Sequence, residues 1–156
     1  MIKILVLDVD GTLTDGKIYM GADGEVFKAF DIKDGCGIHD ILPKYNIVPV
    51  VITGRSSEIV KNRCKELNIK HLYQGIRDKK KKICDIVESM DYSLENVAYM
   101  GDDIIDLEAM SICGVSGAPA DASKSVIKVA DFVSKYTGGN GAVRDFIEWL
   151  VERYSA

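Results

Sequence analysis

The chain has 156 residues, 47% of them hydrophobic and 28% charged, with a formal net charge of −4. That length and balance fit one domain spanning 1–156 whose core needs no staples, and they exclude a disordered or fibrous chain. Net negative charge with scattered basic residues argues against a nucleic-acid partner, and Met1 leads into an apolar strand without a charged leader or long apolar stretch, so no membrane partner and a cytoplasmic location are expected.

In chain order, residues 2–8 form the first strand-length apolar run and end in Asp8-Val9-Asp10-Gly11-Thr12. Residues 17–20 and 25–31 read as a hairpin joined by Gly21-Ala22-Asp23-Gly24, with apolar groups on both arms: Ile18, Tyr19 and Met20, then Val26, Phe27 and Phe30. Such a ribbon is marginal alone and must pack on its own domain or on another subunit. Ile38, Ile41, Leu42 and Tyr45 recur at helical spacing before the strand at 47–53. Helices on Ile59, Val60, Cys64 and Leu67 and on Ile83, Ile86, Val87 and Met90 follow, then strands at 97–101 and 113–116. Val143, Phe146, Ile147, Leu150, Val151 and Tyr154 mark a last amphipathic helix, with Trp149 off its stripe and expected to be exposed. Strands alternating with helices predict an α/β fold, a doubly wound parallel sheet. Of Lys79–Lys82, three are expected to be the solvated start of a helix. Cys36, Cys64, Cys84 and Cys113 form no Cys-x-x-Cys pair and read as reduced packing residues, and His39 and His71 as structural or surface groups.

Asp8 and Asp10 lie one residue apart after an apolar strand, so extended backbone would put both carboxylates on one side. Asp-x-Asp-Gly by itself also marks an ordinary strand end. The second acidic cluster, Gly101-Asp102-Asp103-Ile104-Ile105-Asp106 after Val97–Met100, makes the pair a site: close carboxylates call for a divalent cation or a shared proton, and together they point to Mg²⁺ chemistry on an aspartate. Thr53 and the open Gly54 amide follow another strand, and Lys79 begins a helix. A phosphoryl group needs this combination of carboxylate nucleophile, metal and fixed donors.

The ordered set Asp-x-Asp-Gly-Thr, Val-Ile-Thr-Gly, Lys and Gly-Asp-Asp-x-x-Asp resembles the haloacid dehalogenase superfamily over nearly the whole chain. The resemblance implies a Rossmann-like fold in which Asp8 attacks phosphorus and Asp10 first protonates the leaving oxygen and then activates water. It implies Mg²⁺ held by the Asp8 carboxylate, the Asp10 backbone carbonyl and Asp102, a phosphate cradle of Thr53, Gly54 and Lys79, and Asp103 and Asp106 beside the metal or behind it. Only a hairpin follows the first motif and little beyond one helix and one strand separates Gly54 from Lys79, so there is no cap domain. The chain is thereby similar to the capless phosphatases of 3-deoxy-D-manno-octulosonate 8-phosphate, tetramers whose neighbouring subunits close each other's sites. Asp15-Gly16, 33–38, Thr53-Gly54-Arg55, Asn62-Arg63-Cys64 and 138–144 match that group. The substrate implied is a small phosphorylated sugar acid whose carboxylate meets Arg55 and Arg63, although Arg63 also reads as a surface residue. Two alternatives stand: the same chemistry on a nonulosonate (sialate-type) 9-phosphate, or a non-catalytic tetramerisation module related to sugar-acid cytidylyltransferases. Thr12 departs from the Val usual in the octulosonate group.

Overall fold

The structure is a computed structural model describing residues 1–154. Its strands in chain order are β1 (Ile4–Leu7), β2 (Tyr19–Gly21), β3 (Gly24–Phe27), β4 (Val48–Ile52), β5 (His71–Tyr73), β6 (Val97–Met100), β7 (Val115–Ala118) and β8 (Phe132–Val133). Six of them form one sheet in the order β5-β4-β1-β6-β7-β8, with every pairing parallel. The chain winds outward from β1 to β4 and β5, then returns to the other side of β1 for β6. That reversal opens a crevice at the carboxyl ends of β1, β4 and β6, where such sheets bind ligands.

Both faces of the sheet are covered, which is why β1 is apolar at every position and buried throughout. Leu5, Leu7, Val51, Ala98 and Met100 face a layer containing Ile38, Leu42, Val60, Cys64, Phe146, Ile147 and Leu150. Ile4, Val6, Val50, Ile52, Val97 and Tyr99 face Ile83, Ile86, Val87, Met110 and Val126. Each large apolar side chain buried in this way contributes about 1.5–3 kcal/mol.

The helices are α1 (Ile32–Cys36), α2 (Glu58–Glu66), α3 (Lys79–Ser89), α4 (Leu107–Ile112), α5 (Lys124–Val129) and α6 (Ala142–Tyr154). Ser57 caps α2 by accepting from the Ile59 amide at 3.1 Å, and Asp78 caps α3 by accepting from Lys81 at 2.9 Å. The first turn of α6 is held from outside the helix, by Asp34 Oδ1 accepting from the Arg144 amide at 3.0 Å. Just before α6, Gly138 and Gly139 lie directly on the loop after β1. A Cβ on Gly138 would strike the Gly11 carbonyl and one on Gly139 the Thr14 backbone, while the Gly139 amide donates to Thr12 O at 3.1 Å. Only glycine allows that approach.

Several elements differ from the sequence expectation. The segment after α1 tightens through a π turn (Gly37–Ile41) and a 3-10 turn (Leu42–Tyr45) containing Pro43, so Ile38 and Leu42 stay buried but Tyr45 turns to solvent. The fourth apolar run pairs two residues later than expected, at Val115–Ala118, with Gly117 beneath the Phe146 ring where a Cβ has no room. Trp149 is not free of the core: its ring lies 4.9 Å from Phe132 and 5.9 Å from Phe146, and the short edge strand β8 supplies the surface it covers. Cys64 is buried and Cys113 half-buried, but Cys36 and Cys84 are exposed rather than part of the core; all four are free thiols. The hairpin is shorter than expected and leaves Ile18, Met20, Val26 and Phe27 exposed, while Phe30 joins the core and bridges Thr14 at the hairpin base. No described helix is long and apolar enough to cross a membrane.

Candidate active site

Asp8 is the first residue past β1. Its amide donates to Met100 O at 3.1 Å, continuing the ladder, and its carboxylate is buried at the centre of the crevice. The backbone turns at once: Gly11 has φ +89°, and a Cβ there would overlap the Asp102 carboxylate. Thr14 fixes the turn by accepting from the Gly11 and Gly16 amides, each at 3.2 Å. Thr53 ends β4, pinned by its amide on Tyr73 O at 3.0 Å and by the Ile76 amide on its own carbonyl at 3.1 Å. It is buried, with the exposed Gly54 beside it.

Lys79 is the first residue of α3 and is only 3% exposed. Its ammonium donates to Asp8 Oδ1 at 2.8 Å and to Asp106 Oδ1 at 2.9 Å. Burial alone would push its pKa down, but the two carboxylates more than offset this and hold it above the usual lysine value. The other three lysines of the run serve the helix surface, Lys82 lying over the Tyr73 ring.

Asp106 organises this end of the sheet. Besides Lys79, its Oδ1 accepts from the Tyr99 hydroxyl, and its Oδ2 accepts from the Asp102 and Asp103 amides at 3.0 and 3.2 Å. Asp103 caps the following turn through Ile104 N at 2.7 Å and is exposed. Oxygens of Asp8, Asp102 and Asp106 lie within 4.8 Å of one another, the spacing of a cation site. The four acceptor positions of Asp106 are already engaged, so Asp8 and Asp102 are the carboxylates with capacity for an ion. Burial first, and neighbouring carboxylate charge second, push Asp8 up to about 6 and Asp102 up to about 8. A hard divalent ion between them would offset the carboxylate repulsion and supply the positive charge that burial demands, so the residues fit Mg²⁺.

Lys79 and Asp102 thus lie against Asp8, while Asp10 and Thr53 follow the carboxyl ends of β1 and β4. Arg55 stands at the rim, its side chain half-exposed and 4.0 Å from Glu25. Arg63 makes its contacts elsewhere: it donates to Asp31 O at 3.3 Å and Glu66 at 3.0 Å and lies over the Phe30 ring. Sequence reasoning missed Lys28, whose ammonium lies 2.6 Å from Asp10, and the anchoring parts of Tyr99 and Asp34. Phe27 and Val26 both face outward and Lys28 alone turns inward, so no local pattern signals the lysine.

A doubly wound parallel sheet with a buried Asp-Lys-Asp group at its carboxyl edge defines a haloacid dehalogenase-like hydrolase, and the model of that family matches residues 71–147. The 3-deoxy-D-manno-octulosonate 8-phosphate phosphatases KdsC of Salmonella typhi and Escherichia coli K12 are each 47% identical over 150 residues, covering 96% of this chain and 79% of theirs. The chain belongs to the family of 3-deoxy-D-manno-octulosonate 8-phosphate phosphatases. A crystal structure of the Moraxella catarrhalis enzyme with magnesium, phosphate and KDO has a TM-score of 0.92 at 38% identity, over 97% of this chain and 86% of that one. The cobalt-bound Haemophilus influenzae enzyme also gives 0.92 at 38% identity, over 97% and 88%.

Proposed function

We propose that this chain is a Mg²⁺-dependent phosphomonoesterase that hydrolyses 3-deoxy-D-manno-octulosonate 8-phosphate through an aspartyl-phosphate intermediate. The observation that carries this is the Lys79 ammonium on Asp8 with Asp102 facing the same carboxylate, in a chain 47% identical to octulosonate 8-phosphate phosphatases.

Asp8 Oδ attacks phosphorus, and Asp10 donates a proton to the departing sugar oxygen. In the second step Asp10 takes a proton from water, which displaces phosphate from Asp8. Lys79, the Thr53 hydroxyl and the Gly54 amide hold the equatorial oxygens and stabilise the charge that builds on them. When bound, the Mg²⁺ offsets repulsion between the Asp8 carboxylate and the phosphate, held by Asp8, Asp102 and the Asp10 backbone carbonyl. Arg55 receives the sugar carboxylate, and Arg63 supports the same side of the site through the Asp31 loop. The exposed apolar hairpin at 16–31 seats against neighbouring copies in a homotetramer that closes the capless, single-domain site, and the enzyme works in the cytoplasm.

The relatives named above favour neither the nonulosonate 9-phosphate reading nor the non-catalytic module, and intact Asp8, Asp10, Thr53, Lys79 and Asp102 also oppose the latter. The deciding experiment is a panel of phosphorylated sugar acids assayed with Mg²⁺. The octulosonate 8-phosphate should have the highest kcat/KM; preference for a 9-phosphorylated nonulosonate would overturn the assignment.

A further inference from the structure

Lys28 follows β3 and points back into the domain with its side chain 1% exposed. Lysine is almost never buried without partners, and this one has two: Asp10 Oδ1 at 2.6 Å and Glu25 Oε2 at 3.0 Å. The same Glu25 oxygen lies 4.0 Å from the Arg55 guanidinium. A row of alternating charges therefore runs from the rim at Arg55 through Glu25 and Lys28 to Asp10. Buried ion pairs add little net stability compared with apolar side chains of similar volume, so packing alone does not explain an ammonium here.

We propose that Lys28 is a positioning residue for Asp10: by holding Oδ1 it fixes the carboxyl rotamer and leaves Oδ2 as the oxygen that meets the leaving group. Asp10 needs such a hold. It sits between β1 and the Gly11 turn, its side chain is 23% exposed, and Lys28 is its one side-chain partner among the described residues. The tie also makes the hairpin part of the chemistry, because any displacement of β2 and β3 moves Lys28 and with it Asp10. Proton transfer tolerates little misplacement: a shift of about 1 Å can cost on the order of 100-fold in rate.

The proposal rests on Asp10 acting as the proton donor, and the test separates the two. Phenol is a poor leaving group that needs a proton, whereas nitrophenol leaves as a stable anion. The quantity kcat/KM reports only the steps through aspartyl-phosphate formation, so later water activation does not enter. With Mg²⁺ present, Lys28→Met should lose roughly 10- to 100-fold in kcat/KM for phenyl phosphate but no more than about 3-fold for p-nitrophenyl phosphate. Asp10→Asn, measured alongside, should show the same selectivity. Equal losses on both substrates in Lys28→Met, with selectivity kept in Asp10→Asn, overturn the role of Lys28. Equal losses in Asp10→Asn overturn the proton-donor role and this proposal with it. Failure on the octulosonate phosphate alone, with aryl phosphates still cleaved, touches only the substrate assignment. Should Lys28→Met fail to fold by circular dichroism, Glu25→Leu removes the lysine's second acceptor and should show the same pattern at smaller size; a uniform loss or none overturns the proposal.

Discussion

Replacing Lys79 by Met removes the one ammonium shared by two buried carboxylates, Asp8 and Asp106, whose side chains are 5% and 0% exposed. Methionine fills similar volume, so the change is electrical more than steric. Removing one partner of a buried ion pair costs about 3–5 kcal/mol because the remaining charge is left uncompensated. Against a typical stability of about 5–15 kcal/mol this is roughly a fifth or more of the total, and for a chain of this size it lowers Tm by roughly 8–16 °C. Asp8→Asn in the same chain removes one stranded charge while its amide oxygen stays an acceptor, and it should return about half of the loss, since the two sites share a contact and do not add. The assay is urea unfolding of wild type, single and double variants in chelator, where no cation stands in for the ammonium, with phosphatase activity measured separately in Mg²⁺. Activity should fall about 100- to 1,000-fold, the usual effect of removing one donor to a developing oxyanion. A single variant within about 1 kcal/mol of wild type in chelator, or a double variant less stable than the single, would refute the reasoning.

Thr12 is fully buried and its hydroxyl has no hydrogen-bond partner among the described residues, so Thr12→Val, which puts in the residue usual in the octulosonate group, should stabilise the protein by about 1–2 kcal/mol in urea unfolding and leave kcat unchanged. Loss of stability would show that the hydroxyl is satisfied. Asp34 is buried with Oδ2 unpartnered, and burial raises its pKa from 3.8 to about 6. The folded protein therefore holds this proton more tightly than the unfolded chain, and the associated stability is present at acid pH and lost as pH rises through about 6. Asp34→Asn should accordingly gain on wild type by about 2 kcal/mol between pH 4.5 and pH 7.5, and a gap independent of pH would contradict this. Charged substitutions at Ile18 and Phe27 should give species smaller than a tetramer by light scattering, with reduced activity toward the sugar acid; a fully active monomer would rule out closure by neighbours.

Asp8, Thr53, Lys79 and Asp102 were legible in the sequence because each follows an apolar run or starts a helix, and a parallel sheet places all such ends on one edge. The strands β1, β4 and β6 were legible for the same reason, being buried on both faces. What escaped is set by distant contacts. Gly117 of β7 lies under a Phe146 ring that comes from the far end of the chain, Trp149 finds its cover in a two-residue strand with little apolar signal, and Tyr99 reads as one more apolar strand residue until its hydroxyl meets Asp106. Lys28 was invisible as a site residue because its partner Asp10 lies across the hairpin, and nothing local distinguishes it from a solvated lysine.

The Gly138-Gly139 turn rests on Gly11 and Thr14, nearly the whole length of the chain away. During synthesis the nucleophile's loop leaves the ribosome well before the segment that braces it. A growing chain can lay down β1, β4 and β6 and still hold its aspartates in an unbraced loop. Until the stretch before α6 settles onto the first turn, the aspartate loop lacks the support that the Gly138-Gly139 backbone gives it.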